Sequence, residues 1–203
     1  EFPKYSAPQS LINSLSQNAA PFILTVYFSP TIVGYYALSL RLLQLPINLI
    51  GESVRQVFYP RAAELYNEGE DLRKYFIKST LFLGVIIAIP TLVIFLFGPS
   101  LFSLILGKQW IEAGTYARWM MLWLFCVFIT RPTVVLFQIL KLQKAFLLIE
   151  TVGFAIKTLL LLVISKIWHN PLFSILVYSI SNVLFYITLL VFVLIKVQRM
   201  HKT

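Results

Sequence analysis

The chain contains runs of apolar residues that are long enough to cross a lipid bilayer. The clearest is TLFLGVIIAIPTLVIFLF, residues 80–97, which holds no charged side chain. A bilayer core of about 30 Å is crossed by about 20 helical residues, so such a run is typical of a membrane-spanning helix. The composition agrees, since 59% of the chain is hydrophobic and only 12% is charged. Together these features predict an all-α integral membrane protein.

Reading the chain for such runs predicts one membrane domain of six helices over residues 1–203. The predicted spans are residues 9–28, 34–58, 80–97, 113–140, 145–168 and 172–197. Prolines interrupt the first, second and fourth of these spans, at Pro21, Pro46 and Pro132. Buried membrane helices tolerate proline better than soluble helices do, and we expect these prolines to supply bends used in gating.

Two connections between the spans have a distinct composition. Residues 61–78 are rich in charge and are predicted to form a helical, solvated loop on the cytoplasmic side. Residues 98–110 begin with Gly98 and Pro99 and end in Trp110. They predict a break in the chain followed by a short external helix at the membrane interface, anchored by the indole.

The basic residues of the connections are distributed unequally between the two sides. If the amino end is cytoplasmic, ten basic residues lie inside and only Lys108 and Lys166 lie outside. The ten are Lys4, Arg61, Arg73, Lys74, Lys78, Lys141, Lys144, Lys196, Arg199 and Lys202. This asymmetry predicts two cytoplasmic termini, and it explains the net charge of +9 without any nucleic-acid partner.

The sequence gives little support to an enzyme. The single cysteine, Cys126, lies in an apolar run, and His169 and His201 stand alone without a metal-binding pattern. Neither a glycine-rich phosphate loop nor a nucleophile-elbow motif is present. We therefore expect no catalytic residues, no metal and no cofactor.

A stripe of polar residues runs along the second predicted span. Its members are Arg41, Gln44, Asn48, Glu52 and Arg55, and their spacings of three and four residues place them within roughly 80° of arc. A charge at the centre of a span costs about 2.5 to 3.5 kcal/mol, so the stripe must face protein or a watery cavity. For Glu52 and Arg55, a local ion pair is as good an explanation as a role in a pathway.

Polar residues also punctuate the other spans. Asn13 and Gln17 share a face of the first, Arg131 and Gln138 lie in the fourth, and Glu150 and Lys157 lie in the fifth, while the sixth carries Tyr178, Asn182 and Tyr186. The excess of basic over acidic residues favours an anionic ligand, and a lipid-linked pyrophosphate would enter such a cavity from the side. The predicted substrate cavity comprises Asn13, Gln17, Arg41, Gln44, Asn48, Glu52, Arg55, Arg131 and Lys157.

Several short motifs, in order, resemble the second half of bacterial lipid-linked polysaccharide flippases, the exporters of O-antigen and exopolysaccharide precursors. They are GYYA at 34–37, LP at 45–46, IG at 50–51, VFYPR at 57–61, GKQW at 107–110 and AG at 113–114. This family belongs to the superfamily of the multidrug and toxin extrusion antiporters. The likeness covers nearly the whole chain, although each motif is short.

The resemblance implies a fold of two six-helix lobes around a central cavity, worked by alternating access. It implies translocation of undecaprenyl-pyrophosphate-linked oligosaccharide across the bacterial inner membrane, without ATP, for cell-surface polysaccharide such as lipopolysaccharide. Membrane lipids and the polysaccharide polymerase machinery are implied partners. Because only six spans are predicted, this chain corresponds to the carboxyl-terminal lobe. We expect the amino-terminal lobe to be missing from this sequence, which starts without Met, or a second subunit to take its place.

Three other functions would each require different features of the sequence. A cation-coupled multidrug antiporter requires an acidic cavity, whereas this one is predicted to be basic. A membrane glycosyltransferase or ligase requires catalytic acids or a large external loop. A scaffold predicts that neutralising the polar stripe leaves function unchanged.

Overall fold

The computed structural model describes the backbone of residues 19–200 and the side chains of residues 19–199, and all of its regular structure is helical. The first described helix, α1, covers residues 19–27. The others are α2 (Pro30–Glu68), α3 (Leu72–Leu106), α4 (Ile111–Ile129), α5 (Arg131–Ile139), α6 (Gln143–Trp168) and α7 (Pro171–Met200), with a short 3₁₀ turn at Lys108–Trp110.

Four stretches of these helices are long and apolar enough to cross a membrane. They are Leu72–Leu106, Lys108–Ile139, Gln143–Trp168 and Pro171–Arg199. The predicted count of six is therefore not reached within residues 19–200. The second predicted span forms part of α2, which is not among the four candidate spans, and residues 9–18 of the first lie outside the described chain. The chain is an all-α, multi-pass membrane protein.

The α4–α5 stretch is the central helix of the bundle. Two-thirds of its most apolar segment is buried inside the protein, compared with 11 to 22% for the other three candidate spans. Those three expose large apolar side chains such as Val85, Leu104 and Leu159. In a membrane such side chains face lipid tails, which are as apolar as they are.

The structure differs from the expected one in two details, within the fourth span and in the 98–110 segment. The expected span 113–140 overlaps the candidate span Lys108–Ile139, but the helix is interrupted at Thr130, because Pro132 lacks the N–H that would continue the hydrogen-bond ladder. The expected break at Gly98 and Pro99 is absent, and α3 continues to Leu106. Gly98 is buried against Gly114 of α4, so a close helix contact stabilises the segment that the sequence predicted to break.

The predicted loop 61–78 is also not a separate element. Its residues form the end of α2 and the start of α3, joined by a turn of three residues. Gly69 ends α2 in the left-handed conformation, at φ 71°, and the Asp71 carboxylate accepts a hydrogen bond from the Lys74 amide at 2.9 Å. At this end Arg61 forms ion pairs with Glu64 and Glu70, and the Glu64 carboxylate raises the pKa of Arg61 above its ordinary value.

Candidate functional site

A polar cavity of about 220 Å³ lies between α2, α4, α5, α6 and α7. Its lining combines aromatic rings, amides and three charged groups. The lining residues are Tyr36, Leu40, Gln44, Ile47, Asn48, Trp123, Leu124, Val127, Thr130, Arg131, Val134, Phe146, Glu150, Lys157, Tyr178, Asn182, Tyr186 and Leu189. Two cations and one carboxylate therefore face the same small space inside the bundle.

One end of the cavity is built around Arg131, the first residue of α5. Nη2 of Arg131 donates a hydrogen bond to Oδ1 of Asn48 on α2, at 2.8 Å. The guanidinium lies against Gly51, where an added methyl group would come within 2.7 Å of Nε of Arg131. Gly51 is thus needed for space and not for its backbone conformation. The short motif IG at 50–51 accommodates a side chain from the central helix.

The middle of the cavity is built around Lys157 of α6, which is only 6% exposed. Its Nζ donates a hydrogen bond to Oδ1 of Asn182 on α7, at 3.0 Å, and lies 4.1 Å from the centre of the Phe185 ring. Asn182 in turn donates to the Tyr178 carbonyl at 2.8 Å. An amide oxygen and an aromatic face thus replace part of the water that the ammonium loses on burial. Gly153 leaves room for the Phe185 ring on the surface of α6.

Aromatic residues of α2, α4 and α7 also line the cavity. Tyr36 of α2 and Tyr178 of α7 lie close enough to interact electrostatically, and Trp123 of α4 lines the same space. The indole of Trp123 is 8% exposed, and among residues 19–199 its buried Nε1 finds no hydrogen-bond partner. A tryptophan N–H can only donate, so this donor is buried without an acceptor.

The structure brings together four of the nine predicted cavity residues, Gln44, Asn48, Arg131 and Lys157. Arg41, Glu52 and Arg55 are exposed on α2 and do not line the cavity. Glu52 and Arg55 form an exposed ion pair at 2.7 Å. A local ion pair was one of the two interpretations of these residues from the sequence. Asn13 and Gln17 lie outside the described residues.

The prolines predicted as gating bends lie in three different settings. Pro21 is within the described part of α1, and Pro132 opens α5. Pro46 lies inside α2, where it lines a second, wholly apolar cavity of about 530 Å³ between α2, α3 and α4. Pro90 of α3 lines the same apolar cavity and was not singled out by the sequence. Their role in gating stays a prediction.

Sequence reasoning missed Trp123, Tyr36 and Thr130 as cavity residues. Tyr36 precedes Gln44 by eight residues and lies about 80° from it around α2, so helical periodicity was a usable signal. Trp123 gave no such signal, because it stands among apolar residues of the central helix. Glu150, Tyr178, Asn182 and Tyr186 were noted as polar residues of their spans, and the structure brings all four to the cavity.

Replacing Gly51 with alanine tests whether this glycine positions Arg131. The added methyl group overlaps only the flexible end of the arginine side chain, so we expect the free energy of unfolding to change by less than about 1 kcal/mol. We expect the Arg131–Asn48 hydrogen bond to break, which is measurable as a changed guanidinium signal in NMR of the arginine-labelled protein. The matched control is Gly34→Ala, since a methyl group at position 34 meets no atom within 4 Å. An unchanged guanidinium signal in the Gly51 variant would contradict the prediction.

Fold and cavity together define a multi-pass helical membrane protein with a polar, partly cationic cavity between its helices. A model of the polysaccharide biosynthesis protein family matches residues 1–115, more than half of the chain, and the chain belongs to that family. The matched region contains Gln44, Asn48 and Gly51, whereas Arg131, Lys157 and Trp123 follow it. No curated protein and no solved structure matches the chain.

Proposed function

We propose that the chain serves polysaccharide biosynthesis as a transporter that flips a lipid-linked oligosaccharide across the bacterial inner membrane. The substrate class is an undecaprenyl-pyrophosphate-linked oligosaccharide, and the protein works by alternating access without catalysing a reaction. Both termini lie in the cytoplasm in this proposal. Family membership supports the biosynthetic role, and four candidate spans support a route through a membrane.

The observation that carries the proposal is the position of Arg131. This cation is half-buried in the central α4–α5 stretch, and its hydrogen bond of 2.8 Å is to a neutral amide, that of Asn48. The Glu52 carboxylate also attracts Arg131, but it is already paired with Arg55 at 2.7 Å, so Arg131 keeps the capacity to attract a phosphate group. Arg131 is therefore the residue that we assign to the pyrophosphate during transport.

The exposed part of the α2 stripe fits a transporter assembled from two lobes. Arg41 and the Glu52–Arg55 ion pair are exposed on α2, although charges facing lipid oppose insertion. We propose that an amino-terminal lobe or a second subunit covers this surface and forms the opposite wall of the translocation route. Arg41 then faces the space between the two lobes.

The test is translocation of a fluorescent lipid-linked oligosaccharide in proteoliposomes that contain the full-length protein. We expect Arg131→Gln to lower the initial rate by at least about tenfold, which corresponds to about 1.4 kcal/mol. Arg73→Gln is the matched control, because Arg73 is an exposed arginine at the start of α3, away from the cavity. Equal rates in the wild type, Arg131→Gln and Arg73→Gln at equal reconstitution would contradict the assignment of Arg131. A wild type no faster than empty liposomes would contradict the proposed function.

A further inference from the structure

The apolar cavity of about 530 Å³ between α2, α3 and α4 has no part in the proposed function. Its floor is buried, because Ile47 on α2, Ile87 on α3 and Met121 on α4 are at most 6% exposed. Its rims are open, because Ile50 on α2 is 45% exposed and Ile86 on α3 is 40% exposed. The apolar cavity is therefore a groove that opens sideways between α2 and α3.

The lining of the apolar cavity selects for hydrocarbon. It consists of leucine, isoleucine, phenylalanine and methionine with two prolines, Pro46 and Pro90, and among the described residues it holds no charged, amide or hydroxyl side chain. A polar group inside this space would lose its hydrogen bonds to water without gaining others. Ile47 also lines the polar cavity, so it lies between the two cavities. The occupant that the apolar cavity favours is a plain hydrocarbon chain.

A further membrane helix would need a different surface. Membrane helices pack closely through small residues, as Gly98 of α3 and Gly114 of α4 do. Within the described chain, the lining of the apolar cavity contains no glycine, alanine or serine, and its side chains are large or branched. Its volume falls within the roughly 300 to 1,000 Å³ of sites that take drug-sized ligands, and one acyl chain is a ligand of that size. The cavity thus fits a flexible chain better than a helix.

The apolar cavity lies away from the charged stripe of α2. Leu42, Pro46 and Ile50 line the cavity and follow one another by four residues. At 3.6 residues per turn, their centre is roughly 130° around the helix from Arg41 and Glu52. A second lobe that covers the charged stripe therefore leaves this face of α2 to the bilayer lipids.

One end of the apolar cavity reaches the level of the lipid headgroups. Leu106 lines it at the end of α3, and the exposed Lys108 follows two residues later, close in sequence to Trp110. Tryptophan favours the headgroup level of a membrane. In the part of the chain that the structure describes, Lys108 forms no ion pair, and the nearby Glu112 accepts a hydrogen bond from Tyr116. The ammonium group of Lys108 can therefore bind a lipid phosphate.

We propose that the apolar cavity is a binding site for one acyl chain of an anionic phospholipid, whose phosphate binds Nζ of Lys108. Lipid tails gain no hydrophobic free energy by leaving other lipid tails, so the chain is held by dispersion contacts with a preformed groove and by the charge at its end. The chain fills the space behind Ile47 and thereby supports this part of the polar cavity's wall. The inference goes beyond the proposed function, because it requires a bilayer but no transported substrate.

Photo-crosslinking tests the site in proteoliposomes that contain the full-length protein. The probe is phosphatidylglycerol with a diazirine on one acyl chain, diluted into phosphatidylcholine, and mass spectrometry locates the residues that it labels. Lipid that merely surrounds the protein labels residues according to their exposure. We expect Leu42 and Ile94, which line the apolar cavity, to be labelled more strongly than Leu159 of α6, which lies outside the cavity and is more exposed.

Two substitutions fill the apolar cavity from opposite rims. Ile50→Trp and Ile86→Trp each place an indole where the acyl chain would lie. We expect each to lower the labelling of Ile94, relative to that of Leu159, by at least about fivefold. Because the two rims belong to different helices, misfolding of one variant leaves the other as a test.

The matched controls are the neighbouring residues of the same helices. Leu49→Trp and Val85→Trp change positions that are 72% and 70% exposed and do not line the cavity, so we expect labelling like that of the wild type.

The headgroup contact has its own variant. In the wild type we expect the phosphatidylglycerol probe to label Ile94 at least about threefold more than a phosphatidylcholine probe does. We expect Lys108→Gln to abolish this preference. Lys166→Gln, which changes an exposed lysine of α6 outside the cavity, is expected to keep it.

Four results would overturn the lipid site. In the wild type, labelling of Ile94 below that of Leu159 would show that protein covers the cavity. Equal labelling of the wild type and both cavity variants would place the chain elsewhere, and equal labelling by the two probes would remove the role of Lys108. Loss of labelling on addition of undecaprenyl phosphate, but not of the same amount of unlabelled phosphatidylglycerol, would make a polyprenyl chain the occupant. Transport without cavity labelling rejects the lipid site alone, and cavity labelling without transport rejects the flippase function alone.

Discussion

Asn182→Leu is expected to destabilise the protein by about 2 to 3 kcal/mol, the largest effect of any single substitution considered. The variant keeps the branched outline of the side chain but removes the oxygen that accepts the hydrogen bond from Nζ of Lys157. Lys157 is 6% exposed, so its ammonium would stay buried with the Phe185 ring and the Glu150 charge as its remaining partners. Hydrogen bonds to charged groups contribute about 1.5 to 3 kcal/mol, and leaving such a group unsatisfied costs more than the bond alone.

The double variant Asn182→Leu with Lys157→Met distinguishes loss of a partner from loss of packing. Replacing both partners with apolar groups of similar shape is often close to neutral, so we expect the double variant to recover most of the lost stability. The measurement is the denaturation midpoint of each variant in the same detergent. Gln198→Leu is the control for an amide-to-leucine change at an exposed position of α7. A double variant as unstable as the sum of the two single variants would show that Lys157 and Asn182 are not coupled.

Gly114→Ala is expected to have the second largest effect and to lower the free energy of unfolding by about 1 to 3 kcal/mol. The added methyl group would lie 2.5 Å from the Gly98 carbonyl oxygen and 2.6 Å from Cα of Pro99. Both atoms belong to the backbone of α3. The steric overlap can therefore be relieved only if the helices move apart, because the rotation of a side chain does not remove it. Membrane helices associate through such close packing of small residues, and overpacking usually costs about 1 to 3 kcal/mol.

The control substitution for this prediction is expected to raise the stability of the protein. Gly34→Ala adds a methyl group to an open position of α2, and alanine restricts the unfolded chain, so a gain of about 0.4 to 1 kcal/mol is expected. Both variants are measured by thermal unfolding in one detergent, with helix content followed by circular dichroism. If Gly114→Ala matched Gly34→Ala, the close contact between α3 and α4 would not stabilise the fold.

The sequence predicted the all-α membrane class, because long apolar runs leave a membrane chain few alternatives. The predictions were wrong where contacts between different helices determine the structure. Gly98 and Pro99 were read as a break, yet Gly114 on another helix provides the close packing that keeps α3 continuous. Only the three-dimensional pairing of the two glycines carries that information.

The candidate site was predicted only in part, for a related reason. Periodicity correctly grouped the polar residues of α2 on one arc, but it could not show that Asn48 meets Arg131 while Arg41 stays outside the cavity. Lys157 was recognised as a buried charge, whereas its partner Asn182 lies on a different helix, 25 residues along the chain. Trp123 was missed because an indole N–H without a partner is visible only once the surrounding helices are in place.

The length of α2 has a mechanical consequence. Its 39 residues extend for about 58 Å, nearly twice the thickness of a bilayer core, and the turn at Gly69 ties its far end to α3. The ion pairs of Arg61 with Glu64 and Glu70 brace that junction. The second half of α2 is packed, because Phe58, Ala62 and Leu65 are buried in one hydrophobic cluster with residues of α3, α5, α6 and α7. One continuous helix therefore joins the cavity wall at Asn48 to this second cluster, so a tilt of α2 would have to repack both.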